Sequence, residues 1–222
     1  MSYRARIHSL LSPRERTVVR RLNSPAKIQS YLDSLSYNFN LDGDTYMSPR
    51  RVMRHKTAHC AEGALFAAAV LAYHGEKPLL MDLRAVAEID VDHVVALFRR
   101  GGHWGAISKT NYPVLRYRDP IYPDIRSLAL SYFHEYFLDS GKKTLRAYSA
   151  PFDLSKFAPQ KWVTAEDELD DIIDALDESR HFPLVPKKNL RALRPATQFE
   201  IRVTSAREWQ RPSRSKRPKA NS

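Results

Sequence analysis

The sequence predicts an α+β domain. Three observations carry this: an alanine-rich helical stretch from His59 to Tyr73, a series of short strand-like segments between Lys77 and Arg118, and a return to helical pattern from Ser127 onward. Helices and strands are grouped along the chain rather than alternating, which separates α+β from a doubly wound α/β fold. The chain has 222 residues, 43% of them apolar. That is enough for one domain of roughly 150–200 residues with its own core.

The elements follow in order. His59 to Tyr73 (HCAEGALFAAAVLAY) consists of strong helix formers, with larger side chains at Leu65, Phe66, Val70 and Leu71 and Gly75 as a stop. Small residues on most faces predict a helix packed on several sides, hence a central one. Lys77 to Leu83, Asp92 to Arg99, His103 to Ser108 and Tyr112 to Arg118 have strand character, and the Arg100-Gly101-Gly102 turn joins the second to the third as a hairpin. Ser127 to Phe137 reads as an aromatic-rich helix packed in the core. A last helix begins at Thr164, where Thr164 and Asp167 fit a capping box and Leu169, Ile172, Ile173 and Leu176 form an apolar stripe.

Composition excludes several classes. No apolar run approaches the ~20 residues of a membrane span, and Met1 to Leu11 lacks the apolar stretch of a signal peptide, so a cytoplasmic location and no membrane contact are expected. A single cysteine permits no intrachain disulfide. No phosphate-binding glycine loop or dinucleotide fingerprint occurs, and zinc would need a fourth ligand beside His59, Cys60 and His93, so neither a cofactor nor a metal is expected. The net charge of +11 sits at the ends: +6 over Met1 to Lys27 and +9 from Lys187 onward, against −4 for the body. Residues 1–206 read as one domain. Arg207 to Ser222, with six basic residues and little apolar content beyond Trp209, reads as a disordered basic tail. Nucleic-acid binding through that tail is possible on charge but not favoured, because the body carries no basic excess.

One constellation has chemical potential. Cys60 falls in the first turn of the central helix, where unpaired N–H groups and the positive end of the helix dipole favour a thiolate and offer donors to an oxyanion. His93 opens a strand that, laid against this helix, brings an imidazole to the thiol as general base. Such a histidine needs an acceptor on its second ring nitrogen. Ser108, four residues after Trp104, Asn111 and Asp119 are the candidates. Asp92, on the opposite strand face from His93, reads as structural. Glu62 serves either as an acceptor near the site or as a first-turn carboxylate.

Cys60-Ala61-Glu62 at a helix start, an apolar helix ending at Gly75, Asp92-His93-Val94 on a strand and Gly101-Gly102-x-Trp104 after it together resemble the transglutaminase-like branch of the papain-like cysteine enzymes, nearest in pattern to peptide N-glycanase cores. The resemblance covers about Thr57 to Ser108. It implies a cysteine-bearing central helix packed on a small antiparallel sheet that bears the histidine, with extra helices around it. It further implies a cysteine hydrolase or acyltransferase acting on an amide or ester bond of a protein, peptide or small amide. The family usually places aspartate where Ser108 stands. Hydrolysis is expected over crosslinking, since nothing in the sequence marks an amine-acceptor site. Two other classes compete: a catalytically inactive binding module of the same fold, with Ser108 as its mark, and a nucleic-acid-associated protein using its basic termini.

Overall fold

The computed structural model describes residues 1–41, 43 and 45–212. Its first quarter is helical: α1 (Tyr3–Leu10), α2 (Pro13–Arg21), α3 (Pro25–Asp33) and α4 (Pro49–His55). Each starts at a serine (Ser2, Ser12, Ser24, Ser48) whose side chain accepts a first-turn backbone N–H, and α2 to α4 have proline just inside the start. Proline has no N–H to leave unsatisfied there, and its φ is already helical. Between α3 and α4 lies β1 (Ser36–Tyr37), which pairs in parallel with β2 (Thr57–Ala58).

The central helix α5 (Cys60–Tyr73) follows β2 directly, and from Ala61 to Tyr73 it is buried throughout. Its alanines let neighbours approach on every side: α1, α3 and α4 on one flank, and the sheet on the other. Gly63 marks the closest approach. A Cβ there would lie 2.5 Å from Lys109 Cβ.

The main sheet holds β3 (Leu79–Arg84), β4 (His93–Arg100), β5 (His103–Ile107), β6 (Arg118–Tyr122), β7 (Ala147–Ser149), β8 (Phe152–Asp153) and β9 (His181–Pro183). Its order is β6-β5-β4-β3-β7-β9, with β8 also on β3, and every pairing is antiparallel. Alternation along β4 sends Val94, Ala96 and Phe98 into the core around α5, and Val95 and Leu97 into a second core under α6 (Ile125–Phe133). α7 (Asp170–Asp177) and α8 (Gln198–Thr204) complete the chain. The protein is therefore α+β, with helices on both faces of an antiparallel sheet. No helix among the described residues is long and apolar enough to cross a membrane.

Four expectations are corrected. The strand expected at Tyr112 to Arg118 begins only at Arg118. Pro113 has no N–H for a ladder, and Leu115 takes φ 60°, so the chain turns there. The aromatic helix is shifted: Asp124 caps it, accepting Ser127 N–H at 2.7 Å, and it stops at Phe133, before Tyr136 and Phe137. Thr164 caps nothing. Its hydroxyl turns to the Gln160 carbonyl, and α7 starts at Asp170, although Leu169, Ile172, Ile173 and Leu176 are all buried as expected. The segment from Arg207 read as disordered opens with residues held against the body, since Glu208 and Trp209 both bond Asn111; its remainder from 213 lies outside the described residues.

Candidate functional site

Cys60 is the first residue of α5, partly exposed at the junction of two cavities of about 240 and 580 Å³ that it helps to line. The helix start is unusually well held. His59 is the N-cap, and Glu62, three residues on, returns a carboxylate oxygen to the His59 N–H at 2.9 Å, closing a capping box. Fully buried, Glu62 also accepts from Met47 N–H (3.1 Å), Thr45 Oγ1 (2.8 Å) and Asn38 Nδ2 (3.1 Å). One carboxylate thus ties the loop before α4, the end of β1 and the helix bearing the cysteine into one unit.

Both imidazoles expected near Cys60 are there. Burial alone would raise the thiol pKa. Hydrogen bonds from His59 and His93, together with their charges, overcome this and hold it well below the ordinary cysteine value. His59 responds in kind. Burial would depress it, but the Cys60 sulfur and Glu62 carry it up to about 9. Its Nε2 is 2.6 Å from the Thr45 carbonyl and so carries a proton. Its Nδ1 has two claimants: the Ala61 N–H, at a long 3.3 Å, and the sulfur. An ionised sulfur is the stronger partner, so the ring is an imidazolium whenever the thiolate is present.

Ser108 settles the tautomer of His93. Its Oγ lies 2.8 Å from His93 Nε2 and donates its own proton to the Leu115 carbonyl at 2.6 Å. With that proton committed, Ser108 Oγ only accepts from the ring, so Nε2 is protonated and Nδ1 is the nitrogen left for the sulfur. Ser108 is fixed in turn by Gln29 of α3, whose amide accepts the Ser108 N–H at 3.0 Å and donates to the Ser108 carbonyl at 2.8 Å.

Asn111 does not orient His93. Both ends of its amide are taken by the Trp209 backbone, at 3.0 and 2.7 Å. Asp119 is exposed on β6, whereas the His93 ring is buried. Asp92 makes the structural contact expected of it, one carboxylate oxygen accepting Ala85 N–H at 2.7 Å, and it also lines both cavities with Cys60.

Two further residues bear on the site, and one of them, Tyr37, escaped the sequence reading. Tyr37 lines both cavities, and its phenol is pushed up first by burial and then by the negative charge on Cys60, so the hydroxyl keeps its proton. Lys109 is fully buried. Its Nζ donates to the Leu32 and Leu35 carbonyls at 2.9 and 2.6 Å, and burial lowers it to about 8. Tyr37 lies in no recognisable motif; Lys109 opens the basic-aromatic stretch with Tyr112, Arg116, Tyr117 and Arg118, read from sequence as an edge segment or a contact for an acidic substrate, and is instead buried on two backbone carbonyls. No known protein-family model matches the chain, and no curated protein matches it in sequence.

Proposed function

We propose that the protein is a cysteine-dependent hydrolase or acyltransferase of papain-like, transglutaminase-like architecture, working through Cys60 and His93. The observation that carries this reading is a single chain of contacts: Cys60 at a helix start, bonded by His93, whose far nitrogen is held by a serine able only to accept. A buried structural cysteine has no use for that arrangement.

The steps follow from the geometry. His93 Nδ1 takes the Cys60 proton, and the resulting imidazolium keeps its Nε2–H on Ser108. The thiolate attacks a carbonyl carbon, and the carbon–oxygen π pair moves to oxygen. The first-turn N–H of Cys60, which has no acceptor within a helix, receives that oxyanion, with the Tyr37 hydroxyl as second donor. His93 Nδ1–H protonates the departing amine or alkoxide as the carbon–leaving-group bond breaks. A water or amine, deprotonated by the same nitrogen, then displaces the sulfur from the thioester. His59, as an imidazolium, stabilises the thiolate between turnovers.

Acylation is tested with an activated aryl ester. The expected result is a burst of aryloxide stoichiometric with protein and an acyl group recovered on the Cys60 peptide by mass spectrometry, absent in Cys60→Ala and His93→Ala. Release without a burst, or an acyl group recovered elsewhere, refutes the reading.

A further inference from the structure

The larger cavity beside Cys60 is acidic on one wall. Asp82, Asp90, Asp92 and Asp177 all line it, with Arg84 beside them and His59 next to Cys60 as the cationic groups of the body. Side-chain oxygens of Asp82, Asp92 and Asp177 lie within 4.8 Å of one another. Asp90 is spent locally, accepting from Thr144 and from the Val91 N–H. Asp82 is not. It is fully buried, and while one oxygen takes His181 Nε2 at 2.9 Å, the other has no hydrogen-bond partner among the described residues. Arg84 Nε stays 3.9 and 3.8 Å from Asp82 and Asp92, too far for direct hydrogen bonds. A buried carboxylate oxygen left without a donor is costly, and a cation brought to the wall lowers that cost.

The chain itself brings a cationic residue, Arg211, to this cavity, with no ion pair to the three aspartates among the described residues. The segment after α8 runs along the cleft from one cavity to the other. Arg207 lines the smaller one, its guanidinium 3.9 Å from the Tyr112 ring. Glu208 N–H bonds the Asn111 carbonyl at 3.0 Å, and the Asn111 amide grips the Trp209 N–H and C=O. Arg211 then lines the acidic cavity. Cys60 is common to both cavities, so this segment, which bends at Glu208 and Trp209, passes beside the candidate catalytic cysteine from one cavity to the other. Backbone-to-amide contacts of the Asn111 kind recognise any peptide, whereas the acidic wall selects a side chain.

We infer that the Asp82–Asp92–Asp177 wall is a subsite for an arginine or lysine side chain of a peptide substrate, and that the chain's own Arg207–Arg211 segment occupies the cleft in cis as a competing occupant. This rests on the hydrolase reading for the word substrate, but not for the binding itself. Raised pKa values at Asp92 and Asp177, with burial as the leading cause and mutual repulsion added, fit an acidic wall short of cations.

The test uses the full chain carrying Trp209→Gly and Arg211→Glu, which removes the indole beside Lys109 and the guanidinium in the acidic cavity and so loosens the segment's hold on the cleft while leaving the aspartate wall intact. Binding of a fluorescent hexapeptide Arg-Glu-Trp-Gln-Arg-Pro is read by anisotropy. The freed chain is expected to bind it at least ten-fold more tightly than the wild type. Replacing the second arginine of the peptide by glutamate, or adding Asp82→Asn or Asp177→Asn to the protein, is expected to cost at least ten-fold again. Equal affinity for the arginine and glutamate peptides overturns the subsite, and equal affinity of freed and wild-type chains overturns occupancy in cis. Binding is read without turnover. A chain that discriminates the peptides yet never acylates therefore upholds the subsite and refutes the hydrolase reading, and one that acylates without discriminating does the reverse.

Discussion

A serine in place of a carboxylate beside a catalytic imidazole brings no charge, so its value depends wholly on where its proton points. At Ser108 that proton goes to the Leu115 carbonyl, and the lone pair faces His93. Removing the hydroxyl leaves His93 Nε2–H buried without an acceptor, at a cost of about 1–3 kcal/mol. Ser108→Ala is therefore expected to slow alkylation of Cys60 by iodoacetamide about ten-fold near neutral pH, and Ser108→Asp to restore or exceed the wild-type rate; an unchanged rate in Ser108→Ala contradicts this role. At this scale the sequence was informative where chemistry is local. Cys60, His93 and Ser108 announced themselves by helix start, strand start and spacing. Asn111 misled because an amide is as good a clamp for a backbone as an orienter for a ring. Gln29 was invisible, since its partner is 79 residues away and a glutamine in a helix has no signature.

Among the elements, α5 decides where the sulfur stands. Its alanines and Gly63 let β4 and the segment after β5 close on it, which sets the distance between Cys60 and His93. Gly63→Ala drives a methyl into the Cβ of fully buried Lys109, a position that cannot simply rotate away. It is expected to lose about 1–3 kcal/mol in urea unfolding and to slow Cys60 labelling as well. Ser24→Ala, which removes only the cap of α3, is expected to cost about 1 kcal/mol and leave the labelling rate unchanged. Equal behaviour of the two variants contradicts the packing account. The central helix and the hairpin were legible because periodicity and a Gly-Gly turn are strong local signals. The N-terminal helices also had one, serine followed by proline at 12–13, 24–25 and 48–49. The start of α7 had none, because Leu169 N–H is taken by Tyr46 from the far end of the chain.

Over the whole molecule, charge is divided between an acidic cleft wall and basic ends, and the described part of the C-terminal end folds back onto that cleft. Arg207 and Arg211 of the basic tail both line cavities of the body, and its other four basic residues lie outside the described residues. The wall also fixes a pH signature. Burial, then the charge of Asp82, raises Asp92 to about 6, above the ~3.9 of an unfolded aspartate. Ionised Asp92 thus costs stability above pH 6, and the cost is relieved as pH falls from 6 towards 4, opposite to a salt-bridged carboxylate. Asp92→Asn is expected to melt higher than wild type at neutral pH, with the gap closing by about pH 4; a gap independent of pH contradicts the assignment. Chain topology of this kind, with a terminal segment crossing a cleft, leaves no trace in local pattern.

The proposed chemistry depends on the ionisation of one sulfur. Titrating the ultraviolet absorbance of the thiolate in the wild type against Cys60→Ala measures it directly. A thiolate that persists well below the ~8.5 of a free cysteine, and that in His93→Ala forms only at higher pH, is the predicted result. A sulfur that ionises at about pH 8.5 or above, like a free cysteine, would contradict the account.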